Sequence, residues 1–403
     1  MNFILFDNPS TRSALLPLTF TRPVAQIRLG IVTIADKWRH FLHAPVSFLT
    51  ESYLQNKFPI KPGTDNLYIN GAICPDAPLT EAIMRLRPGE KLSGQNQLIA
   101  FRTDAVPGSP AEIVSFENAK PARLYHAPFA ALGSLSDIFL LNGAQIRADF
   151  AWLTANRVSE PVTDAHTIVY NPSGVFLEKG SKTRASVLNA EKGPIYIGAD
   201  ADIQEGSLIR GPFAIGEQSV VAMGAKMRGD ITVGPFCKVG GEISNSVVFG
   251  YTSKGHEGYL GNSVLGEWCN LGAGTNTSNL KNDYGNVKQW SYAEHAFKDT
   301  GRQFVGLVMG DHSKVGINTM FNTGTVVGVS ANVFGSDFPP KFVPSFTWGG
   351  AAGLDIYRLD KALEVMERVL QRRNLPLPDA DHELMAHLFA LTHGHKKPIG
   401  FGR

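Results

Sequence analysis

The chain has 403 residues, 43% of them hydrophobic, and its 38 lysines and arginines against 36 aspartates and glutamates leave a net charge of +2. That length exceeds what one core usually fills, so two domains are expected, and so small a net charge excludes recognition of nucleic acid or anionic lipid by bulk electrostatics, leaving small molecules as the expected partners. Three scattered cysteines, Cys74, Cys237 and Cys269, exclude a readable disulfide framework or paired-cysteine metal site and suit a reducing compartment.

In chain order, the opening MNFILFDNP lacks the basic start and apolar length of a signal peptide, and no stretch approaches the roughly 18 apolar residues of a membrane span, so a cytoplasmic protein is expected. The run FILF predicts a strand, TEAIMRLRP an amphipathic helix, and NLYING and IVSFE further strands. This mixture is an α/β pattern, and residues 1–153 are read as one such domain. The polar stretch TANRVSEPVTDAH, residues 154–166, is read as a linker.

From Ile197 a beat of six begins. Ile203, Ile209, Ile215, Val221, Met227, Val233 and Val239 follow without a slip, and Met309, Val315, Phe321, Val327 and Val333 resume the period after a gap. Glycine repeatedly follows the periodic residue, as at Gly198, Gly216 and Gly234, where a chain turns a tight corner. Six matches neither helix nor ordinary strand, but it matches a short strand plus a corner, stacked as a three-sided parallel β-helix. One hexad cannot bury its aliphatic side chain alone; stacked, each buried Ile or Val contributes roughly 1.5–3 kcal/mol. Residues 167–350 are assigned to this β-helix. Beyond it, LDIYRLDKALEVMERVLQRRN and DHELMAHLFALTH predict two helices within a C-terminal segment, 351–403, that cross the β-helix or a neighbouring subunit.

Between the two regular runs, GYTSKGHEGYLGNS, residues 250–263, reads as an interruption that presents His256 on a glycine-rich loop, with timing regained at Tyr259, Leu265 and Leu271. The pattern GHxxYLGxxxxGxxxNxGAGTxTxN, residues 255–279, resembles the acetyltransferase domain of the bifunctional glucosamine-1-phosphate N-acetyltransferase/UDP-N-acetylglucosamine pyrophosphorylase family. KNDYGNVK and GINTMFNTGTVVG extend the resemblance, which covers about residues 165–350. It implies a left-handed β-helix and acetyl transfer from acetyl-CoA to an amino-sugar phosphate. His256 would be the general base, imidazole being the side chain that ordinarily titrates nearest neutrality. Lys254, Tyr259, Asn270, Asn279 and Lys288 would hold the sugar or its phosphate, and Gly272, Ala273, Gly274 and Asn318 would meet acetyl-CoA. A phosphate-binding lysine common in the family is replaced near Ser244 and Asn245.

Near the N-terminus, TRSALLPLTFTRPVAQIRLGIVTI, residues 11–34, resembles the signature of sugar-1-phosphate nucleotidyltransferases. The resemblance implies that Arg12, with Arg22 and Arg28, steadies the phosphates of a nucleoside triphosphate while a sugar phosphate attacks it in the presence of Mg²⁺. Asp76 is the candidate metal ligand, with Asp104 the other possibility. The sequence departs from this pattern: FDNPSTR has no glycine in the phosphate loop, and Val24 replaces a lysine. The bland reading pairs these arginines with acids of the same domain.

Three readings follow: a bifunctional enzyme making a nucleotide sugar such as UDP-N-acetylglucosamine; an acyltransferase whose N-terminal domain only binds or positions; and a non-catalytic nucleotide-sugar sensor or scaffold. A homotrimer is expected, because flat β-helix sides enclose a pantetheine arm only between subunits. A zinc site of His256, His295 and His312 is disfavoured by spacing, and His382, His387, His393 and His395 are read as a solvated tail rather than a metal site.

Overall fold

The computed structural model describes residues 1–113 and 122–393. Asn2–Phe6 forms the expected first strand, parallel to Val46–Leu49 on one side and Asn66–Asn70 on the other. Gln97–Thr103 adds antiparallel to Asn66–Asn70, and Lys91–Gly94 and Arg123–Leu124 complete a six-stranded mixed sheet. The helix expected at TEAIMRLRP runs Ala77–Met84. Helix Ile34–Leu42 starts at a capping box in which Thr33 and Asp36 satisfy each other's backbone donors. Of the strand expected at IVSFE, only Ile113 lies within the described residues, and it is buried.

The solenoid has three sides of parallel strands. One carries six strands from Ile168–Tyr170 to Tyr259–Gly261, the next nine from Val175–Leu177 to Phe342–Val343, and the third ten, from Lys182–Thr183 to a closing antiparallel hairpin of Thr347–Gly350 and Gly353–Ile356. The periodic residues Ile197 to Val239 are all 2% exposed or less, stacked in register as three lines, one on each side. Corner glycine is a matter of clearance: a Cβ on Gly198 would come within 2.7 Å of the backbone at Gly216 and Glu217, one coil away.

The stretch around His256, from Val248 to Leu260, does not interrupt this rhythm. Val248, Lys254 and Leu260 occupy successive inward positions six apart, and the beat is hidden only because one of them is a lysine. Lys254 aligns with Val239 and is 2% exposed. Tyr259, expected on the inward line, faces outward beside fully buried Leu260, because the true spacing from Leu260 to Leu265 is five. The real slips are that step, the four from Val239 to Ile243, the five from Ile243 to Val248, and the excursion between Thr277 and Val308, which carries the hairpin Lys288–Ser291 with Ala296–Asp299.

The two halves share a core. Leu5, Leu15, Val24 and Trp38 belong to the same buried cluster as Val247, Phe249, Val264 and Val308 of the solenoid's second side, and helix Leu135–Leu153 lies along that side. Polar ties reinforce the seam: the Thr232 hydroxyl donates to the Gly30 carbonyl at 2.8 Å, and the Thr21 hydroxyl donates to Asp311 at 2.7 Å. Helices Leu359–Gln371 and Asp379–His393 cover the same region, burying Met366, Leu384, Met385 and Leu388 with Phe20, Leu54 and Phe346. The His387 ring stacks on Tyr53 at 4.4 Å, and Lys57 pairs with Asp381 at 2.5 Å. The segment through His393 is therefore an anchored helix rather than a solvated tail; His395 lies outside the described residues.

At one corner Phe236, Tyr251, Trp268 and His312 all adopt φ between 56° and 61° and stack as near-parallel rings with centroids 4.9, 4.1 and 6.1 Å apart. Burial drives His312 down to about pH 3 for its titration, with Lys314 adding to the effect. The native ring thus stays neutral while an unfolded one takes a proton below about 6.5. Native stability must fall as pH drops from about 6.5 toward 3. His312→Phe, a residue this corner already accepts at Phe236, should flatten that part of a urea-stability profile relative to the parent protein.

Candidate active site

The outward face of the solenoid's first side brings together two of the sugar-holding candidates, Tyr259 and Asn279. The Asn279 side-chain amide donates to the Tyr259 hydroxyl at 3.1 Å and to the Asn262 Oδ1 at 2.7 Å, tying three residues across one corner. Gly261 makes this possible, since a Cβ there would run into the Tyr259 hydroxyl and stand 2.7 Å from the Asn279 amide nitrogen. Burial raises the Tyr259 phenol's titration, so it stays a neutral donor and acceptor. Two residues missed in the sequence join them. Asn276 Oδ1 accepts the Tyr259 backbone N–H at 2.8 Å, and Arg228, paired with Glu242 at 2.8 Å, places a cation close enough to favour Tyr259 ionisation. Ser244, which with Asn245 stands near the place of the family's common lysine, aligns directly with Gly261 and adds no charge.

His256 stands exposed on the adjoining edge, in the turn between Ser253–Lys254 and Tyr259–Gly261, and its imidazole has no hydrogen-bond partner among the described residues. Its turn is held from above, where Gly274 N–H donates to the Glu257 carbonyl at 3.1 Å, and from below, where Glu242 N–H donates to the Gly258 carbonyl at 3.3 Å. The acetyl-CoA candidates stack over it on the same edge: Gly272–Gly274 one coil up, then Asn318, whose N–H donates to the Ala273 carbonyl at 2.7 Å. Gly272 and Gly274 N–H groups are committed to coil-to-coil bonds, so within this run only exposed Ala273 keeps an N–H without a partner among the described residues.

Other candidates lie elsewhere. Asn270 faces outward on the third side, between Ser253 and Lys314, away from the Tyr259 face within one chain. Lys254 points into the solenoid rather than toward solvent, and its Nζ donates to the His256 carbonyl at 2.5 Å. Lys288 is exposed on the long hairpin; its carbonyl accepts the Lys341 ammonium at 3.0 Å. Burial lowers the Lys341 titration, and Lys281 and Lys288 nearby lower it further, which marks a concentration of positive charge beyond Asn279.

The three N-terminal arginines are all engaged by protein. Arg12 pairs with buried Asp7 at 3.0 Å and donates to Tyr53 at 2.7 Å. The Asp7 carboxylate also accepts the Val24 N–H at 2.8 Å and the Thr50 hydroxyl at 2.6 Å, so it collects the donors that a phosphate would require. Arg22 crosses the seam to Asp311 and Glu267; burial would lower its titration, yet those carboxylates hold it above the ordinary value. Arg28 donates to the Ile31 carbonyl at 2.7 Å, and burial lowers its titration.

The fit for Mg²⁺ is narrow. Asp76 Oδ1 caps helix Ala77–Met84 through the Leu79 N–H at 2.8 Å, leaving its second oxygen as the one available ligand, and no group of three potential metal ligands occurs among the described residues. A metal carried in on phosphates needs only one or two carboxylates, a requirement Asp76 meets singly. The His312 ring stacks beside Trp268 at the corner, with centroids 6.1 Å apart.

Arg12→Ala tests what that guanidinium does in the free protein. Removing it leaves Asp7 buried without its counter-charge, and the expected cost is about 3–5 kcal/mol in urea denaturation. An arginine serving phosphates alone would leave the unliganded stability unchanged.

Known proteins resemble parts of the chain. A bifunctional sugar-1-phosphate nucleotidylyltransferase/acetyltransferase of Sulfurisphaera tokodaii is 35% identical over 145 residues, 36% of this chain and 36% of that protein. A bifunctional protein GlmU of Methanocaldococcus jannaschii is 36% identical over 87 residues, 22% of this chain and 21% of that protein. The chain therefore matches about a third or less of the length of these curated relatives. Among solved structures, the N-acyltransferase AntD of Bacillus cereus aligns over 54% of this chain and 90% of its own at 12% identity, with a TM-score of 0.22. The strand Asn2–Phe6, the arginine-bearing segment after it and helix Leu135–Leu153 all fall within residues 3–158, apart from the strand's first residue, and those residues match the family described as sugar nucleotidyl transferase.

Proposed function

We propose that the chain acetylates the amine of an amino-sugar phosphate of the glucosamine-1-phosphate kind from acetyl-CoA, and that its N-terminal half couples the product to a nucleoside triphosphate to give a nucleotide sugar such as UDP-N-acetylglucosamine. One observation carries the first step: the knot of Tyr259, Asn262 and Asn279, flanked by Arg228 and the lysines near Lys288, adjoins the exposed imidazole of His256. Such a face offers hydroxyl and amide partners to sugar hydroxyls and cations to a phosphate.

In the reaction the acceptor nitrogen attacks the thioester carbonyl carbon, and a ring nitrogen of His256 takes the proton that the amine gives up. As the tetrahedral intermediate collapses, the carbon–sulfur bond breaks, and the CoA sulfur takes the proton held by His256 and leaves as the thiol. The Ala273 N–H is the available backbone donor for the developing oxyanion. Because His256 and Ala273 stand exposed on one edge, a second copy is needed to close the pantetheine groove, and a homotrimer is the assembly proposed, to be checked by light scattering. His256→Ala should lower the rate of thiol release from acetyl-CoA by about 10²–10⁴-fold, with the melting temperature unchanged.

For the second step, Mg²⁺ when bound would offset phosphate charge, with Asp76 the residue to hold it, and Arg12, Arg22 and Arg28 would steady the triphosphate once displaced from their present partners. The Asp7 carboxylate, already occupying Arg12, Thr50 and the Val24 N–H, favours a second reading in which this half positions the acyltransferase without catalysis. Pyrophosphate release separates the two. The bifunctional reading requires it from UTP and N-acetylglucosamine-1-phosphate with Mg²⁺, and its absence alongside active thiol release selects the second.

A further inference from the structure

Lys254 is the one charged side chain among the inward residues of the solenoid's third side, with Val221 and Val239 below it and Leu271 and Val315 above. An aliphatic side chain here would continue the column; an ammonium costs desolvation instead. What the lysine obtains is specific. Its stem follows the column to the edge, where Nζ donates to the carbonyl of His256 at 2.5 Å.

The neighbouring residues of that turn are held in another way. Glu257 and Gly258 carbonyls accept N–H groups from Gly274 and Glu242 on adjacent coils. The His256 carbonyl has no backbone donor among the described residues; it lies over Gly241, where a Cβ would approach it to 3.0 Å. Without the lysine, the carbonyl of the residue that bears the imidazole would have no donor among the described residues.

We propose that Lys254 is a positioning residue for His256, its ammonium rising through the aliphatic column to pin the His256 carbonyl and so fix the direction in which the imidazole leaves the edge. This rests on the reading of His256 as the base. Burial brings the Lys254 titration down to about 8, with Glu257 pulling it partly back, which agrees with an ammonium held among aliphatic neighbours and kept for its hydrogen bond. A charge-assisted bond of this kind is stronger than one from a neutral donor.

The test uses the full chain and Lys254→Met, which fills the same space with no donor. The expected result has four parts: a melting temperature at or above that of the parent; kcat for CoA release lower by on the order of tenfold or more, with KM for acetyl-CoA and the acceptor unchanged; faster amide hydrogen exchange confined to Gly274 and Glu242, whose N–H groups are bonded to the turn; and less than about a twofold effect when the substitution is made in His256→Ala, because a residue acting through another adds nothing once that other is gone. Lys254→Gln, which keeps a donor, should recover part of the rate, and it carries the same comparison if the methionine variant does not fold. Parent-like kcat overturns the proposal, as do a raised acceptor KM with unchanged exchange, equal losses in both backgrounds, or a rate that falls only in step with melting temperature. Should the parent release no CoA with any amino-sugar phosphate, the functional reading fails, while the exchange comparison still decides whether Lys254 holds the turn.

Discussion

The column of inward side chains carries the molecule. Each coil supplies about one aliphatic residue per side, too little to be stable alone, and the sum over stacked coils gives a rod whose surface positions are fixed by register. Everything of chemical interest is placed by that register: Tyr259 over Glu242, Gly261 over Ser244, Gly272–Gly274 over the turn of His256. Loops of any length can leave the rod at a corner, as the residues between Thr277 and Val308 do, because the inward line resumes at Met309 as though nothing had intervened.

The second organising contact is the seam. The N-terminal sheet does not hang from a tether; its core is continuous with the second side of the solenoid, and the segment resembling a nucleotidyltransferase signature contributes directly to the junction. Arg12 donates to the Arg22 carbonyl, Arg22 reaches Asp311 and Glu267, and Tyr53, the partner of Arg12, lies under His387 of the last helix. The same short run of sequence thus links sheet, solenoid and C-terminal helices. Any ligand that claims these arginines must compete with carboxylates already in place, and buried charges give up a partner at considerable cost.

Much of this was legible in the sequence, for identifiable reasons. A period of six leaves few architectures open, so the solenoid could be read from Ile197, Ile203 and their successors alone. The helices Ala77–Met84 and Leu359–Gln371 declared themselves by apolar spacing. Lys254 was not legible, because a lysine on an aliphatic beat looks like a missing beat; the arithmetic from Val248 to Leu260 was the signal that would have found it. Tyr259 was placed on the wrong face by a five-residue step that no local pattern announces. Arg228 and Asn276 approach Tyr259 only through coil stacking, a relation between residues tens of positions apart. The fate of Arg22 depended on a partner nearly three hundred residues away, which no motif can supply.

The ladder of rings at the corner has one more consequence. Trp268 is clasped between Tyr251 and His312, and the cavity beside it is walled by Leu370 and Leu384 from the two terminal helices, by Leu377 from the segment joining them and by Thr21 from the first sheet's domain. Its indole therefore sits where all three parts of the molecule converge. Trp268 is one of five tryptophans, so the difference in emission between the parent and Trp268→Phe is a built-in gauge of whether the parts are assembled.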